Sequence, residues 1–364
     1  MKPKKILILV NRDFVLYNFR AELVERLLEQ GNEVYICLPN GPKVDKMIEM
    51  GCKYIPISID GRGTNPVKDV KLIAAYRKIF KEVQPDIILT YTTKVCIYAG
   101  LVAGWMKIPY LMNVSGLGTA VEQKGPLQPI MLALYKAAAK KAKCVFFQNT
   151  ENQKFFEEHR LYSGNQRLIP GSGVNLKKWN PKEYPSEESG VEFLFIARIL
   201  KEKGIEEYVK TAEVIKKEYP NATFHVLGAC DGDYKEYLDT YQEKGVICYH
   251  GEVQDTSVFL ERAHCTIHPS YYPEGISNVL LESAASARPI ITTDRSGCRE
   301  TVEAGITGYM IPQKDTTALI HAVKQFMQLT NAQRKEMGLA GRRKVESEFN
   351  REIVVQAYVE EIEK

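Results

Sequence analysis

The stretch that decides the fold is His268-Pro-Ser-Tyr-Tyr-Pro-Glu-Gly-Ile-Ser-Asn-Val-Leu-Leu-Glu-Ser-Ala-Ala-Ser-Ala-Arg-Pro-Ile-Ile-Thr-Thr-Asp294. A short apolar strand, Cys265–His268, runs into a loop holding Pro273, Glu274 and Gly275. The pattern then predicts a helix from Ser277 to Ala287, and Pro289 opens a second buried strand, Pro289–Thr292. Strand, loop, helix and strand in this order make a unit of a parallel α/β sheet. Its loop suits a phosphorylated ligand. A helix N-terminus leaves N–H groups unpaired and carries partial positive charge. Gly275 lets the backbone approach a diphosphate. Glu274 and Glu282 offer carboxylates to the hydroxyls of a ribose or a sugar. An ordinary strand–loop–helix with solvated acids explains the same residues.

The whole chain extends this pattern. Its 364 residues exceed one typical core and imply two domains. Strands expected at Lys5–Val10, Glu33–Leu38, Tyr54–Pro56, Asp86–Thr90, Tyr110–Asn113, Cys144–Gln148 and Arg167–Ile169 alternate with helices. Those helices are expected at Phe19–Gln30, Lys43–Met50, Pro66–Val83, Val95–Met106, Pro126–Ala142 and Asn152–His159. Gly and Pro then crowd into Pro170–Asn175 and Trp179–Pro185, which marks a boundary. Beyond it, strands at Val191–Ile196, Thr223–Leu227, Val246–Tyr249, Cys265–His268, Pro289–Thr292 and Gly308–Ile311 alternate with five further helices. Two helices, Ala332–Phe349 and Arg351–Glu363, close the chain. The expected architecture is two Rossmann-like doubly wound domains facing across a cleft: residues 1–170, residues 171–345, and a C-terminal helix, 346–364, that returns to the first. Ligands of such sheets bind beyond the carboxyl ends of the strands.

Composition narrows the class. Eight scattered cysteines without a C-x-x-C pair read as reduced core residues, which suits the cytoplasm and argues against a disulfide framework or a zinc site. Only five apolar residues, Ile6–Val10, follow the basic N-terminus, too few for a signal peptide or a membrane span. Residues 1–170 hold 25 Lys+Arg against 15 Asp+Glu, whereas residues 171–364 hold 24 against 30. The basic half suggests an anionic partner or uneven solvation charge. Leu127–Lys143, with Lys136, Lys140, Lys141 and Lys143, reads as a helix lying on an anionic membrane or as a core helix with a basic face. No nucleic-acid reading motif is present, and no Gly-x-Gly-x-x-Gly follows the first strand, which speaks against a nicotinamide or flavin enzyme.

A second motif precedes the first by about 75 residues: Arg198-Ile-Leu-Lys-Glu-Lys203-Gly204, at the end of the first strand of the second half. Arg offers a planar fork and Lys a point charge, so the pair suits a diphosphate. Glu274-x7-Glu282, taken with this clamp, resembles the signature of the retaining glycosyltransferases of the GT-B fold, family 4. Tyr91-Thr-Thr-Lys94 and Asn113-Val-Ser-Gly-Leu-Gly118 resemble a bacterial subgroup that extends polyprenyl-diphosphate-linked glycans for capsule, exopolysaccharide or glycoprotein synthesis.

The resemblance implies an enzyme, a hexosyltransferase that moves a hexose or N-acetylhexosamine from a UDP-sugar to a lipid-linked saccharide with retention. Glu274, Arg198 and Lys203 would be catalytic. Glu282, Gly275, Ile276, Ser277 and Asn278 would bind the donor, helped by Gly171 and Gly173 of the hinge and by Gly116 and Gly118. Asn18, Arg20 and Lys94 would meet the acceptor. For Arg20 the residues alone leave a plain first-turn helix charge equally open. No cofactor and no metal are expected, since protein cations face the diphosphate, and Asp231-Gly-Asp233 reads as a turn. Many family members place a His where this chain has Asn113 to Gly118, so no His-assisted step is expected. The enzyme would work in the cytoplasm, peripheral on the inner face of the plasma membrane. A UDP-sugar 2-epimerase of the same fold and a non-catalytic partner in glycan assembly are the rival readings.

Overall fold

The computed structural model describes residues 2–59, 66–117, 121, 125, 127–230, 232 and 234–364. Gly118, Pro126, Asp231 and Asp233 lie outside the described residues. The chain divides into two compact units, Met1–Gly173 with Arg351–Lys364, and Val174–Asn350.

The first unit is built on seven strands: β1 (Lys5–Leu9), β2 (Glu33–Leu38), β3 (Lys53–Pro56), β4 (Ile87–Tyr91), β5 (Tyr110–Val114), β6 (Cys144–Phe147) and β7 (Gln166–Leu168). They lie in the order β3-β2-β1-β4-β5-β6-β7, with every neighbouring pair parallel. Continuous apolar runs such as Ile6–Leu9 are what a sheet covered on both faces requires. Helices α1 (Asp13–Glu29), α2 (Val44–Glu49), α3 (Pro66–Val83), α4 (Thr93–Met106), α5 (Gln128–Ala139) and α6 (Thr150–Glu158) supply the cover. One face buries Val95, Val102, Tyr135 and Phe147 with residues of α3 to α6. The other buries Leu16, Leu23 and Leu27 of α1.

The second unit holds six parallel strands: β8 (Glu192–Ile196), β9 (Thr223–Leu227), β10 (Cys248–Tyr249), β11 (Cys265–His268), β12 (Ile290–Thr293) and β13 (Gly308–Ile311), ordered β10-β9-β8-β11-β12-β13. Its helices are α7 (Ile205–Glu218), α8 (Lys235–Glu243), α9 (Ser257–Arg262), α10 (Asn278–Ala285), α11 (Thr316–Gln328) and α12 (Asn331–Glu348). Asp315 caps α11 through the Ala318 N–H at 2.8 Å, and Thr330 with Gln333 forms a capping box on α12. The last helix, α13 (Arg351–Glu363), belongs to the first unit. It buries Val354, Tyr358 and Ile362 on the α1 face of the sheet, worth roughly 1.5–3 kcal/mol for each large apolar side chain. Arg351 fixes its start, reaching both Glu22 carboxylate oxygens at 2.8 and 2.9 Å.

Several boundaries differ from the sequence reading. Helix α1 begins at Asp13, not Phe19, because Asp13, Leu16, Arg20, Leu23 and Leu27 form one buried stripe and the Asp13 carboxylate accepts from the Lys43 N–H at 2.7 Å. Asn18 is therefore helical, and Arg20 stands about two turns into the helix and not in its first turn. Strand β10 keeps only two of the four residues expected, since Val246 N–H closes α8 on the Tyr241 carbonyl. Helix α10 ends at Ala285, two residues early, and Ala287 takes a left-handed φ of 56°. The chain leaves the first unit after Gly173, not 170, and returns at Arg351, not 346. Helix α12 runs on to Glu348, and the Val174 N–H then meets the Phe349 carbonyl at 2.8 Å. Gly173 is required at the first crossing: its φ is +64°, and a Cβ would stand 2.5 Å from the Arg351 Cα.

Candidate functional site

In the second unit, the carboxyl ends of β8 and β11 are neighbours in the sheet. Past β8, the chain continues through Arg198 into a single 3-10 turn, Lys201–Lys203, closed by Gly204. Gly204 has a φ of +79°, and any Cβ there would lie 2.3 Å from the Pro269 carbonyl oxygen. The missing side chain lets the Lys203 turn sit on the loop that leaves β11. That loop is stitched to the turn by the Tyr271 N–H on the Glu202 carbonyl at 2.9 Å.

This packing brings Lys203 and Glu274 into a direct ion pair. Their side chains are 10% and 19% exposed, so the pair is largely shielded from water. His268 Nε2 lies 3.8 Å from the same Glu274 oxygen, and the Ser270 hydroxyl lies 3.4 Å from it. Burial alone would raise the Glu274 carboxyl. The Lys203 ammonium and the His268 imidazole overcome that and hold it well below the usual carboxylate range. Burial in turn pushes His268 down, against the pull of Glu274. Glu274 is thus an acceptor of hydrogen bonds at neutral pH, not a donor of protons. The Tyr272 ring forms one wall, with Lys203 Nζ 4.8 Å and Arg198 Cζ 5.8 Å from its centroid. Arg198 itself is exposed.

Of the three residues expected to act together, Lys203 and Glu274 are therefore paired directly, and Arg198 and Lys203 lie against one tyrosine ring. Downstream, Gly275 and Ile276 lead into α10, with Ile276 buried in the core. Ser277 is its N-cap residue, and its N–H bonds the Gly297 carbonyl at 2.8 Å. Asn278 is the first helical residue, and its Oδ1 is buried without a hydrogen-bond partner. Glu282 follows on the same helix, half-buried. His268, Ser270 and Tyr272 were not singled out by sequence reasoning. Their signal was position: each stands at or just past the carboxyl end of β11.

The residues expected to meet an acceptor lie in the first unit and have different neighbours. Asn18 is exposed on α1, and its carbonyl accepts from Arg351 at 3.0 Å. Arg20 is 4% exposed. Its guanidinium packs 5.1 Å from the Tyr91 ring and 5.8 Å from the Tyr358 ring, it donates to the Phe19 carbonyl at 2.7 Å, and its Nε has no hydrogen-bond partner. Lys94 pairs with Asp69 at 2.8 Å. The Gly116 carbonyl accepts from the Thr93 hydroxyl at 3.3 Å. Gly171 and Gly173 sit where the chain leaves this unit. Asn113 is buried beneath, donating to the Tyr358 hydroxyl at 2.6 Å and accepting from Gln148 at 3.1 Å. Among the described residues no group of three or more His, Cys, Asp or Glu side chains is placed to hold a metal ion.

Two doubly wound parallel sheets, the second with a cation–carboxylate cluster at its carboxyl edge, are the architecture of the GT-B glycosyltransferases. Solved structures share the fold over nearly the whole chain. A sucrose-phosphate synthase from Thermosynechococcus elongatus superposes with a TM-score of 0.79 at 20% identity, covering 98% of both chains. HepE of Anabaena, solved with UDP and glucose, superposes with a TM-score of 0.79 at 14% identity, covering 99% of both. Residues 5–149 match the Glycosyl transferase 4-like family model and residues 177–344 match Glycosyl transferases group 1, so the chain belongs to the GT-B glycosyltransferases and is an enzyme of that class. A curated relative is the N,N'-diacetylbacillosaminyl-diphospho-undecaprenol alpha-1,3-N-acetylgalactosaminyltransferase of Campylobacter jejuni, 26% identical over 86% of each chain. Another is the capsular polysaccharide biosynthesis glycosyltransferase CapM of Staphylococcus aureus, 23% identical over 97% of this chain and 95% of its own.

Proposed function

We propose that this chain is a retaining hexosyltransferase that moves a hexose or N-acetylhexosamine from a UDP-sugar to a polyprenyl-diphosphate-linked glycan in cell-surface polysaccharide synthesis. The observation that carries this is the Lys203–Glu274 pair beside Arg198 on the Tyr272 ring. A departing nucleoside diphosphate gathers negative charge as its bond to the sugar C1 breaks. Fixed cations at that place stabilise the transition state, with no metal needed in this reading. Glu274, held ionised, accepts hydrogen bonds from the donor sugar, and Glu282 takes the ribose. The acceptor hydroxyl attacks C1 on the face the diphosphate leaves. Its proton passes to a phosphate oxygen of the leaving UDP, so the anomeric configuration is kept without a protein nucleophile.

The nucleotide and acceptor are supported by relatives. HepE was solved with UDP, and the Campylobacter enzyme is named for a diphospho-undecaprenol substrate. A lipid-linked acceptor places the enzyme on the inner face of the plasma membrane. No helix of the described residues is long and apolar enough to cross a membrane. Trp105, Leu127 and Ile130 are nevertheless 62%, 49% and 57% exposed, and Lys136, Lys140 and Lys141 of the same region are exposed too. Apolar side chains among lysines suit peripheral contact with an anionic leaflet.

The test is nucleotide release from a panel of UDP- and GDP-sugars, with and without a short polyprenyl-diphosphate-linked saccharide. Acceptor-dependent UDP release from one donor, with an α-donor giving an α-linked product by NMR, is the expected result. Inversion at C1, or sugar conversion without an acceptor, overturns the reading.

A further inference from the structure

Glu192 opens β8, His225 stands in the middle of β9, and His250 directly follows β10. They form a hydrogen-bonded chain outside the Lys203–Glu274 cluster. His225 is 6% exposed. Its Nε2 lies 3.1 Å from one Glu192 oxygen, and its Nδ1 lies 3.0 Å from His250 Nε2. Arg262 of α9 donates to the other Glu192 oxygen at 3.1 Å. The Phe259 ring packs on the outer histidine, 4.7 Å between centroids, and His250 itself is exposed. His264 Nδ1 accepts from the Glu192 N–H, and Cys248 stands in register beside His225. Glu192, Arg262, His264 and Cys248 are thus the charged and titratable groups facing the two rings from β8, α9, the residues after α9, and β10.

Such a chain has one proton order. Hydrogen bonds from His225 and Arg262 hold the Glu192 carboxyl below its ordinary value, so at neutral pH it only accepts. His225 Nε2 therefore carries a proton, and in the neutral ring its Nδ1 is bare. His250 must donate from Nε2, which makes its own Nδ1 the outer end of the chain. An added proton enters there. The proton on His250 Nε2 then crosses to His225 Nδ1, the bond between the rings survives with its direction reversed, and the charge rests on His225 beside Glu192. A second proton has no such place. Two imidazolium N–H groups would meet head-on at 3.0 Å, so the bond must break. Desolvation, His225 and Arg262 push His250 below the ordinary histidine value. His250 also anchors the segment that follows it. Its N–H bonds the Val226 carbonyl at 2.9 Å, and Gly251 accepts from the Gly228 N–H at 2.8 Å. Gly228 lies so close to Ala197 that a Cβ would stand 1.7 Å from the Ala197 carbonyl oxygen, and Arg198 is the next residue. We propose that His225 and His250 are a proton-operated latch: with one added proton or none, the pair holds the segment from residue 250 against Gly228, behind Arg198, and a second proton releases His250 and weakens nucleotide binding. The inference rests on the nucleotide-sugar reading proposed above and names a regulation of that site.

The test follows UDP affinity by calorimetry from pH 7.5 to pH 5.5 in the full chain, in His250→Gln and in His250→Phe. Glutamine puts an amide N–H where Nε2 stands and cannot titrate, and phenylalanine keeps a ring on Phe259 without the bond. Protonation of UDP itself is common to all three, and His264, pushed down to about 4, stays neutral throughout. Wild-type affinity is expected to fall about fivefold more than that of His250→Gln, what one hydrogen bond is worth. His250→Phe should start about fivefold weaker at pH 7.5 and then share the shallower slope of His250→Gln. Equal slopes in wild type and His250→Gln overturn the latch and leave the donor reading standing. The rings are read separately by 15N NMR of histidine-labelled protein, assigned through His225→Gln and His250→Gln. At pH 7.5 both rings should carry their proton on Nε2 alone, and the first titration step should move both together. Rings that titrate independently, or an Nδ1–H tautomer at pH 7.5, overturn the latch whatever UDP does. Coupled steps in a protein that binds no UDP at any pH sink the donor reading and leave the two-histidine pair as assigned.

Discussion

Lys203 and Arg20 are both nearly buried cations placed near the carboxyl edge of a parallel sheet, and they are neutralised in opposite ways. Lys203 meets a carboxylate, Glu274, with a histidine and a serine behind it. Arg20 meets no carboxylate among the described residues. It lies against the faces of Tyr91 and Tyr358, with one backbone carbonyl as its acceptor. A buried ion pair has a second charge whose fate depends on the first. A cation against rings leaves no counter-charge behind when it is removed. The second unit thus holds a site whose parts fail together, and the first unit holds a cation that can be exchanged for apolar volume.

Lys203→Ala tests this most severely. In the proposed reaction it takes a cation from the diphosphate, and it strands Glu274, so turnover is expected to fall by about 10³-fold, the upper range for loss of one electrostatic contact at a reacting group. Stability should fall by ~3 kcal/mol, as for other buried pairs cut on one side. The double variant Lys203→Ala/Glu274→Gln separates the two effects. It should regain most of the stability, read by urea denaturation, while UDP release stays lost. Near-normal turnover in Lys203→Ala would dismiss the diphosphate assignment.

The second unit should also be the acid-sensitive one. Burial, with the nearby Arg334 charge, pushes the His264 imidazole down to about 4. Its Nδ1 accepts from the Glu192 N–H at 3.1 Å, which needs the neutral ring. Below the ordinary histidine value of ~6.5 the unfolded chain takes up a proton that the folded one refuses. Stability from this group is therefore complete above pH ~6.5 and lost progressively down to pH ~4, by up to ~3 kcal/mol. His264→Asn keeps an acceptor but cannot titrate. Denaturation midpoints measured from pH 7 to pH 4 should fall less steeply in that variant, and an unchanged slope would reassign the acid sensitivity to other groups.

The same contrast explains what could be read from sequence. The second-unit site is made by two short stretches, 198–204 and 268–282, each at the carboxyl end of its strand, so two local motifs and their resemblance to a family signature brought Arg198, Lys203 and Glu274 under suspicion. The alternation of apolar strands with helices exposed both parallel sheets for the same local reason. Tyr358 was not legible. It lies 245 residues from Asn113, to which its hydroxyl is bonded, and only the return of α13 to the first unit brings them together. Helix α1 was started late because the buried stripe of its first turns opens on Asp13, a charge that a hydrophobic periodicity counts as exposed. His268 and Tyr272 are ordinary strand-end residues until Glu274 folds back toward them.

Arg20→Met, set beside Lys203→Met, sharpens the comparison of the two cations. Methionine keeps much of the arginine volume and stays favourable against aromatic edges. With no carboxylate stranded, the expected cost is ~1 kcal/mol, mainly for the lost bond to the Phe19 carbonyl. Lys203→Met should cost about three times as much at pH 7, and the gap should close in acid as Glu274 takes up a proton. Equal costs at pH 7 for the two variants would mean that the Lys203–Glu274 pair adds nothing an apolar contact cannot supply.

The smallest effect concerns the rings themselves. Tyr358→Phe keeps the stack on Phe146, whose centroid is 4.2 Å away, and keeps a face toward Arg20. It deletes only the hydroxyl that accepts from Asn113 Nδ2 at 2.6 Å. The amide is left buried with one of its bonds missing, a cost of about 1 kcal/mol. Asn113→Leu alone should cost more, since it also removes the acceptor of Gln148. Combined, the two changes should cost less than their sum, because the bond they share can be lost only once. Strict additivity in that cycle would show that the hydroxyl does not couple α13 to β5, and that the helix is held to the first unit by apolar burial and its terminal ion pairs.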